Sequence, residues 1–196
     1  MYYYPRDITP DKVNQLPLIR YEGKIHVIEN PEDERRCLDK LQSESLLGFD
    51  TETRPTYRSG VFYPPALVQL AASDAVYLIR LTNHKFEALL TTLLESKKIV
   101  KAGVAVRDDV SDLQGLVRFN PQNFVDLSSI AEKYSIKKKG LRNLAALFLE
   151  RRVSKNGRLS PWHQPKLTKK QIRYAATDAW ISRELYLQMK HHGLIL

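Results

Sequence analysis

Cysteine is almost absent, with Cys37 standing alone among 196 residues. No disulfide can form within the chain and no cysteine-built zinc site exists, so a reducing cytosol is the expected setting. No run of about 18 apolar residues occurs. The opening stretch, MYYYPRDITPDKVNQLPLIRY, has neither a basic start followed by an apolar run nor a small-residue cleavage site. Secretion and membrane insertion are therefore not expected. Acids are the minority charge, 22 Asp plus Glu against 31 Lys plus Arg, for a net charge of +9. A surplus of that sign favours a polyanionic partner, although a solvated basic surface would give the same sum.

What is present is an alternation of short apolar runs with helical patterns, at a length that suits one domain with its own core. Pro5, Pro10 and Pro17 mark residues 1–24 as an irregular arm that lies against the domain or reaches a partner. The domain proper is expected over 25–196. Ile25 to Glu29 reads as a strand, Pro31 to about Gln42 as a helix, and Leu46 to Asp50 as an apolar strand ending in an acid. Ala66 to Ala72 and Ala75 to Ile79 are apolar runs divided by Ser73 and Asp74, which is hairpin spacing. There follow a helix around His84 to Leu94, a strand Ile99 to Ala102, a helix from about Arg107 to Val117 and a strand Phe124 to Asp126. The rest reads as helix, broken by a loop from Val153 to Leu167. Antiparallel strands first and βα alternation afterwards indicate an α/β fold with a mixed sheet flanked by helices.

Four acids and a tyrosine stand where this pattern calls for core residues. In the strand LLGFDTET, side chains two apart share a face, so Asp50 and Glu52 present two carboxylates together while Phe49 and Thr51 point the other way. The last helix starts at a capping box, Thr168 with Gln171, backed by a staple of Leu167 and Ile172. Counted from there, Tyr174, Asp178, Ile181 and Leu185 form one inward stripe. In KAGVAVRDDVSDL, Asp109 shares a stripe with Leu113 and Leu116, with Asp108 and Asp112 as alternatives. Burying bare carboxylates is costly unless cations sit among them. Divalent metal ions held by hard oxygen ligands would remove that cost, and in a basic chain they point to nucleic-acid phosphodiester cleavage.

Taken together, GFDTET, VKAGVAVRDDVSDL and QIRYAATDA resemble the three motifs of the DEDDy group of 3′-5′ exonucleases, the ribonuclease H-like family that includes ribonuclease D and the exonuclease domain of the Werner syndrome protein. The likeness runs from about Ile25 to Met189, with PPALVQLA, NFVDL and SPWHQPKLT as supporting segments. It implies catalytic roles for Asp50, Glu52, Asp109, Tyr174 and Asp178, with two Mg²⁺ or Mn²⁺ ions held by the four acids. Asp50 would bridge both ions, Glu52 and Asp178 would hold the water-bearing one, Asp109 would help place the second, and Tyr174 would orient the water. The implied partner is a single-stranded or 3′-ended DNA or RNA, with DNA favoured by the segment lengths around the first motif. A ribonuclease D-like exoribonuclease and a non-catalytic nucleic-acid-binding module are the alternatives.

Thr51, Tyr57, Arg58, Arg142 and Trp162 are the candidate substrate contacts, with Lys139, Lys155, Arg158 and Lys166 as further phosphate contacts. The loop Thr53 to Gly60 matches the Werner-type loop in length, where the terminal nucleotide would be gripped. The chain departs from that relative at Thr53 and Arg54, which stand where it has Trp and Pro, and at Thr56, which stands where it has an apolar wedge. Tyr57 either stacks on a base or packs in its loop, and Trp162 is either structural or base-stacking.

Overall fold

Side-chain periodicity switches between two and 3.6 along the chain, and the elements follow it. In this computed structural model, which describes residues 6–82, 84–154, 157 and 159–196, their order is α1 (Pro10–Gln15), β1 (Leu18–Ile19), β2 (Lys24–Ile28), α2 (Pro31–Gln42), β3 (Leu46–Thr53), β4 (Pro65–Ala71), β5 (Ala75–Arg80), α3 (Glu87–Leu94), β6 (Val100–Gly103), α4 (Val106–Gln114), β7 (Phe124–Asp126), α5 (Leu127–Lys133), α6 (Leu141–Phe148), β8 (Arg152–Val153) and α7 (Lys169–His191). Six strands form one mixed sheet in the order β2-β5-β4-β3-β6-β7. The turn at Ser73 and Asp74 makes β4 and β5 antiparallel, and β3 pairs antiparallel with β4, so the centre of the sheet is a meander. Strands β2, β6 and β7 then join in parallel, β6 following α3 and β7 following α4.

Helices cover both faces, which explains why β4 and β5 read as continuous apolar runs. Alternate residues serve opposite cores. Val68, Leu70, Tyr77 and Ile79 pack with α2, α3 and α4, whereas Leu67, Ala71, Val76 and Leu78 pack with Ala175, Ala176 and Ala179 of α7. Beyond the middle strands, α7 also buries Ile181, Leu185 and Met189 against α5, α6 and Ala102 of β6. Because α7 crosses the sheet, whatever it carries at its first turns is delivered to the ends of β3 and β4.

The N-terminal arm is more regular than its prolines imply. Thr9 caps α1, β1 pairs with β8 in a separate two-stranded sheet, and Val13 is buried. The arm lies against the domain. The Tyr21 N–H donates to Thr177 Oγ1 at 3.0 Å, and Arg173 Nη1 donates to the Tyr21 carbonyl at 2.6 Å. The loop leading into α7 is likewise tied down. Arg80, only 3% exposed, donates to the carbonyls of Gln164 and Pro165 at 2.5 and 2.6 Å and to Glu29 at 2.6 Å. A buried guanidinium needs those acceptors, and its need fixes the approach to the helix.

Candidate active site

Strand β3 carries the first two acids to a place where α7 touches it. Gly48, Asp50 and Glu52 share one strand face, and at Gly48 the two backbones meet. A Cβ there would stand 2.0 Å from the Ala179 carbonyl oxygen and 2.9 Å from the Arg183 nitrogen. This close approach lets Asp178, one residue before Ala179, reach Asp50 and Glu52. One carboxylate oxygen from each of the three lies within 4.8 Å of the others. Glu52 and Asp178 are 8% and 6% exposed.

Tyr174 arrives by helix geometry alone. It precedes Asp178 by one turn, and its hydroxyl donates a hydrogen bond to the Asp178 carboxylate. The capping box at Thr168 and Gln171 is formed in both directions, so the start of α7, and with it the phase of this stripe, is fixed. Gly157, in the preceding loop, lies against the Tyr174 ring. A Cβ on it would fall 2.3 Å from the ring Cγ, and its φ of +152° suits glycine. Trp162, fully buried, sits 6.1 Å from the Tyr174 ring, centroid to centroid. Of the two roles open to Trp162, packing is the one this burial allows, since no face of it meets a base.

Asp109 comes from the other side of the sheet. Thr51 points away from Asp50, toward α4, and its hydroxyl donates to Asp109 Oδ1. Asp108 and Asp112 are exposed on the outer surface of α4. The start of α4 is held by Asp126, whose Oδ1 accepts from Ala105 N at 2.9 Å and from Ser128 N at 2.8 Å. One carboxylate oxygen thus anchors two helices, α4 through the left-handed Ala105 (φ +60°) and α5 as its cap. Asp109 stands outside the three-carboxylate cluster, yet its charge acts on Asp50.

The electrostatics are those of a site short of positive charge. Burial first, then the charges of Asp178 and Asp109, push the Asp50 carboxyl well above the ordinary carboxylate range. Burial lifts Asp178 to about 7, against the lowering effects of the Tyr174 hydroxyl and the Arg142 guanidinium. Burial lifts Asp109 to about 6, opposed by the Thr51 hydroxyl. The Tyr174 phenol is raised above its usual value, by burial and then by Asp178 and Glu52. All-carboxylate donors of this kind suit hard cations such as Mg²⁺ or Mn²⁺, so the residues present fit the metals the sequence implied.

A family profile described as 3′-5′ exonuclease matches residues 25–193. The chain belongs to this exonuclease family. Among curated relatives, the exonuclease mut-7 homolog of Aedes aegypti is 28% identical over 91% of this chain, and the bifunctional 3′-5′ exonuclease/ATP-dependent helicase WRN of Mus musculus is 32% identical over 92%. The matched regions span 28% and 14% of those two proteins. The crystal structure of the Aedes aegypti Nibbler EXO domain superposes with a TM-score of 0.77 at 25% identity, covering 89% of this chain and 93% of that one. The fold is accordingly the ribonuclease H-like α/β fold of these exonuclease domains, and the acidic cluster fits metal-dependent catalysis.

On this exonuclease domain the remaining candidates divide between two clefts. Arg142 lines the same cleft of about 1020 Å³ as Tyr174 and Asp178, donating from Nε to the Val153 carbonyl at 2.9 Å. The arm residues Pro10, Val13 and Asn14 wall that cleft, a role the sequence did not show. Tyr57 and Arg58 line a separate cleft of about 630 Å³. Lys139 is paired with Glu132 at 2.8 Å, Lys166 is exposed, and Lys155 and Arg158 lie outside the described residues. Gly48, Asp126 and Gly157 escaped the sequence reading. A glycine inside an apolar strand and an Asp opening the helix LSSIAEK were the available signals for the first two.

These pKa shifts fix the sign of a pH effect. Unfolded carboxylates titrate near 4, so between about 4 and 7 the metal-free folded protein binds more protons than the unfolded chain. Its stability should fall as pH rises through that window. Metal must displace the same protons, so saturating Mn²⁺ should raise the melting temperature by roughly 5–10 °C at pH 8 and by much less at pH 5. Equal shifts at the two pH values in differential scanning fluorimetry would count against a carboxylate metal site.

Proposed function

We propose that this protein is a metal-dependent enzyme that removes nucleoside 5′-monophosphates one at a time from the 3′ end of a nucleic acid. The observation that carries the reading is the meeting of Asp50, Glu52 and Asp178 oxygens within 4.8 Å, with the Tyr174 hydroxyl on Asp178. Asp50, Glu52 and Asp178 would hold divalent ions, two in number, with Asp109 joining them once its carboxylate leaves the Thr51 hydroxyl. When bound, such ions lower the pKa of water and offset the charge that develops on the phosphodiester oxygens. The acids themselves hold no proton to give in that state, so their part is placement.

Tyr174 acts as a hydrogen-bond donor. Burial and the nearby acids raise its pKa in the metal-free protein and keep the phenol protonated at neutral pH, which suits orienting a water. Arg142 faces the cleft next to Asp178 with one N–H committed to Val153, leaving guanidinium edge for a phosphate oxygen. Thr51 acts by holding Asp109 ready.

DNA is the favoured substrate on the lengths of segments around the first motif, with a ribonuclease D-like action on RNA as the second reading. Contacts to a 2′-OH would decide between them. The buried free thiol of Cys37 accords with a cytosolic setting, and among the described residues no helix is long and apolar enough to cross a membrane. The test uses 5′-labelled single-stranded DNA and RNA of equal sequence with Mn²⁺ or Mg²⁺. A ladder of products shortened from the 3′ end and abolished by EDTA is expected. Intact strands that nevertheless bind would convert the protein into a binding module.

A further inference from the structure

Gln69 is completely buried, yet neither its Nε2 nor its Oε1 has a hydrogen-bond partner. An amide left in that state is costly, and protein interiors pair almost all of their polar side-chain atoms, so this exception calls for a cause. Its place in the sheet supplies one. Gln69 lies in β4 between Leu67 and Ala71 in the alternation of faces, and those two pack toward α7, so its side chain enters the same layer. The groups around it there are apolar. Leu78 stands opposite on β5, and Ala175, Ala176 and Ala179 of α7 pack in one cluster with Leu67, Ala71 and Leu78.

The opposite neighbour on the other side, in β3, is Asp50. Directly opposed residues of an antiparallel pair hold their Cβ atoms about 4.5–5.5 Å apart, within the reach of a glutamine side chain. The last torsion of that side chain is soft, so its amide turns toward a carboxylate at little cost. Two other acids of the site already have such a donor. The Tyr174 hydroxyl donates to Asp178 and the Thr51 hydroxyl to Asp109. Asp50 receives the backbone N–H of Thr51 and, among the described residues, no side-chain donor.

We propose that Gln69 is a positioning residue of the acidic centre: with cations in place, its amide N–H donates to the Asp50 carboxylate and fixes the direction in which that carboxylate faces them. The inference rests on the metal-dependent exonuclease reading and extends it. A neutral donor suits this position for an electrostatic reason. A lysine or arginine opposite Asp50 would cancel the negative charge that attracts the ions, whereas an amide orients the carboxylate and leaves its charge in place. Partners of this kind, which touch a ligand and not the metal, govern how tightly the metal is held.

The experiment uses the full chain and two variants. Gln69→Met keeps the length of the side chain and removes both amide atoms, and Gln69→Leu stands beside it should the thioether pack poorly. Mn²⁺ binding is titrated without nucleic acid, free Mn²⁺ being counted from its electron paramagnetic resonance signal, and melting is followed in metal-free buffer. Loss of an unpartnered amide should leave the metal-free melting temperature unchanged or raise it by roughly 2–10 °C. The Mn²⁺ dissociation constant should rise by roughly 10- to 100-fold. At limiting Mn²⁺, kcat on a labelled strand should fall while KM changes by less than about twofold. Unchanged Mn²⁺ affinity overturns the proposal and makes the amide a packing defect. A lower metal-free melting temperature in both variants overturns it as well, since the amide would then serve the fold itself. Wild-type turnover reports the exonuclease reading separately. If the wild type binds Mn²⁺ and cleaves no strand, while Gln69→Met weakens that binding, Gln69 keeps its role and the catalytic reading falls.

Discussion

Asp50→Asn should slow the removal of 3′-terminal nucleotides by roughly a thousandfold and, at the same time, raise the melting temperature of the metal-free protein at pH 8. Both effects come from one feature. Asp50 is the acid on which the others converge, its carboxyl pushed upward by burial and by the charges of Asp178 and Asp109. An amide of the same shape removes that repulsion, so the metal-free fold gains stability at pH values where the carboxylate would be ionised. The amide is also a poor ligand for a hard cation, and the several kcal/mol that bound ions contribute to phosphodiester cleavage correspond to about three powers of ten in rate. The same variant should lose most of the Mn²⁺-dependent thermal shift. A variant that keeps wild-type turnover would show that Asp50 has no catalytic role, and one that melts lower than wild type without metal would show that the repulsion at Asp50 does not govern the stability of the metal-free fold.

Gly48→Ala should reduce both stability and activity although residue 48 touches no substrate. The added methyl would collide with backbone atoms, the Ala179 carbonyl oxygen at 2.0 Å and the Arg183 nitrogen at 2.9 Å, which no rotamer change can relieve. Helix α7 must then move off β3. Overpacking of this kind costs about 1–3 kcal/mol, or roughly 2–12 °C in melting temperature for a chain of this size. Since Asp178 precedes Ala179 directly, the displacement also widens the carboxylate cluster. A shift near 1 Å at a catalytic constellation lowers rate by about a hundredfold. Ala179→Gly should not rescue the variant, because the obstructing atom belongs to the backbone. Normal turnover of Gly48→Ala at 25 °C would mean that the close contact of α7 and β3 does not set the site.

Much of this site was legible before any coordinates. The Asp50 and Glu52 pair follows from the period of a strand, and the Tyr174 and Asp178 pair from the pitch of a helix whose start a capping box had fixed. Both are short-range properties, set by backbone geometry within a few residues. The elements that carry them fell close to their expected places, α2 and β7 at the expected residues, while α4 began one residue earlier and ended at Gln114. The N-terminal arm read less well, because α1 and β1 are short and are held by contacts to Thr177, Arg173 and β8 far along the chain.

The sequence by itself determined the kind of chemistry: four acids and a phenol, arranged by strand and helix periods, in a chain otherwise rich in cations. Tertiary structure decided which acid of α4 turns inward, because that depends on Thr51 across the sheet and on Asp126 at the start of the next helix. It also put Arg142 beside Asp178 but Tyr57 and Arg58 in a different cleft, and it buried Trp162. The reason is range. Periodicity and capping act over one or two turns, whereas the meeting of residues 51 and 109, or of 48 and 179, is fixed only when the sheet and the helices on its two faces pack together.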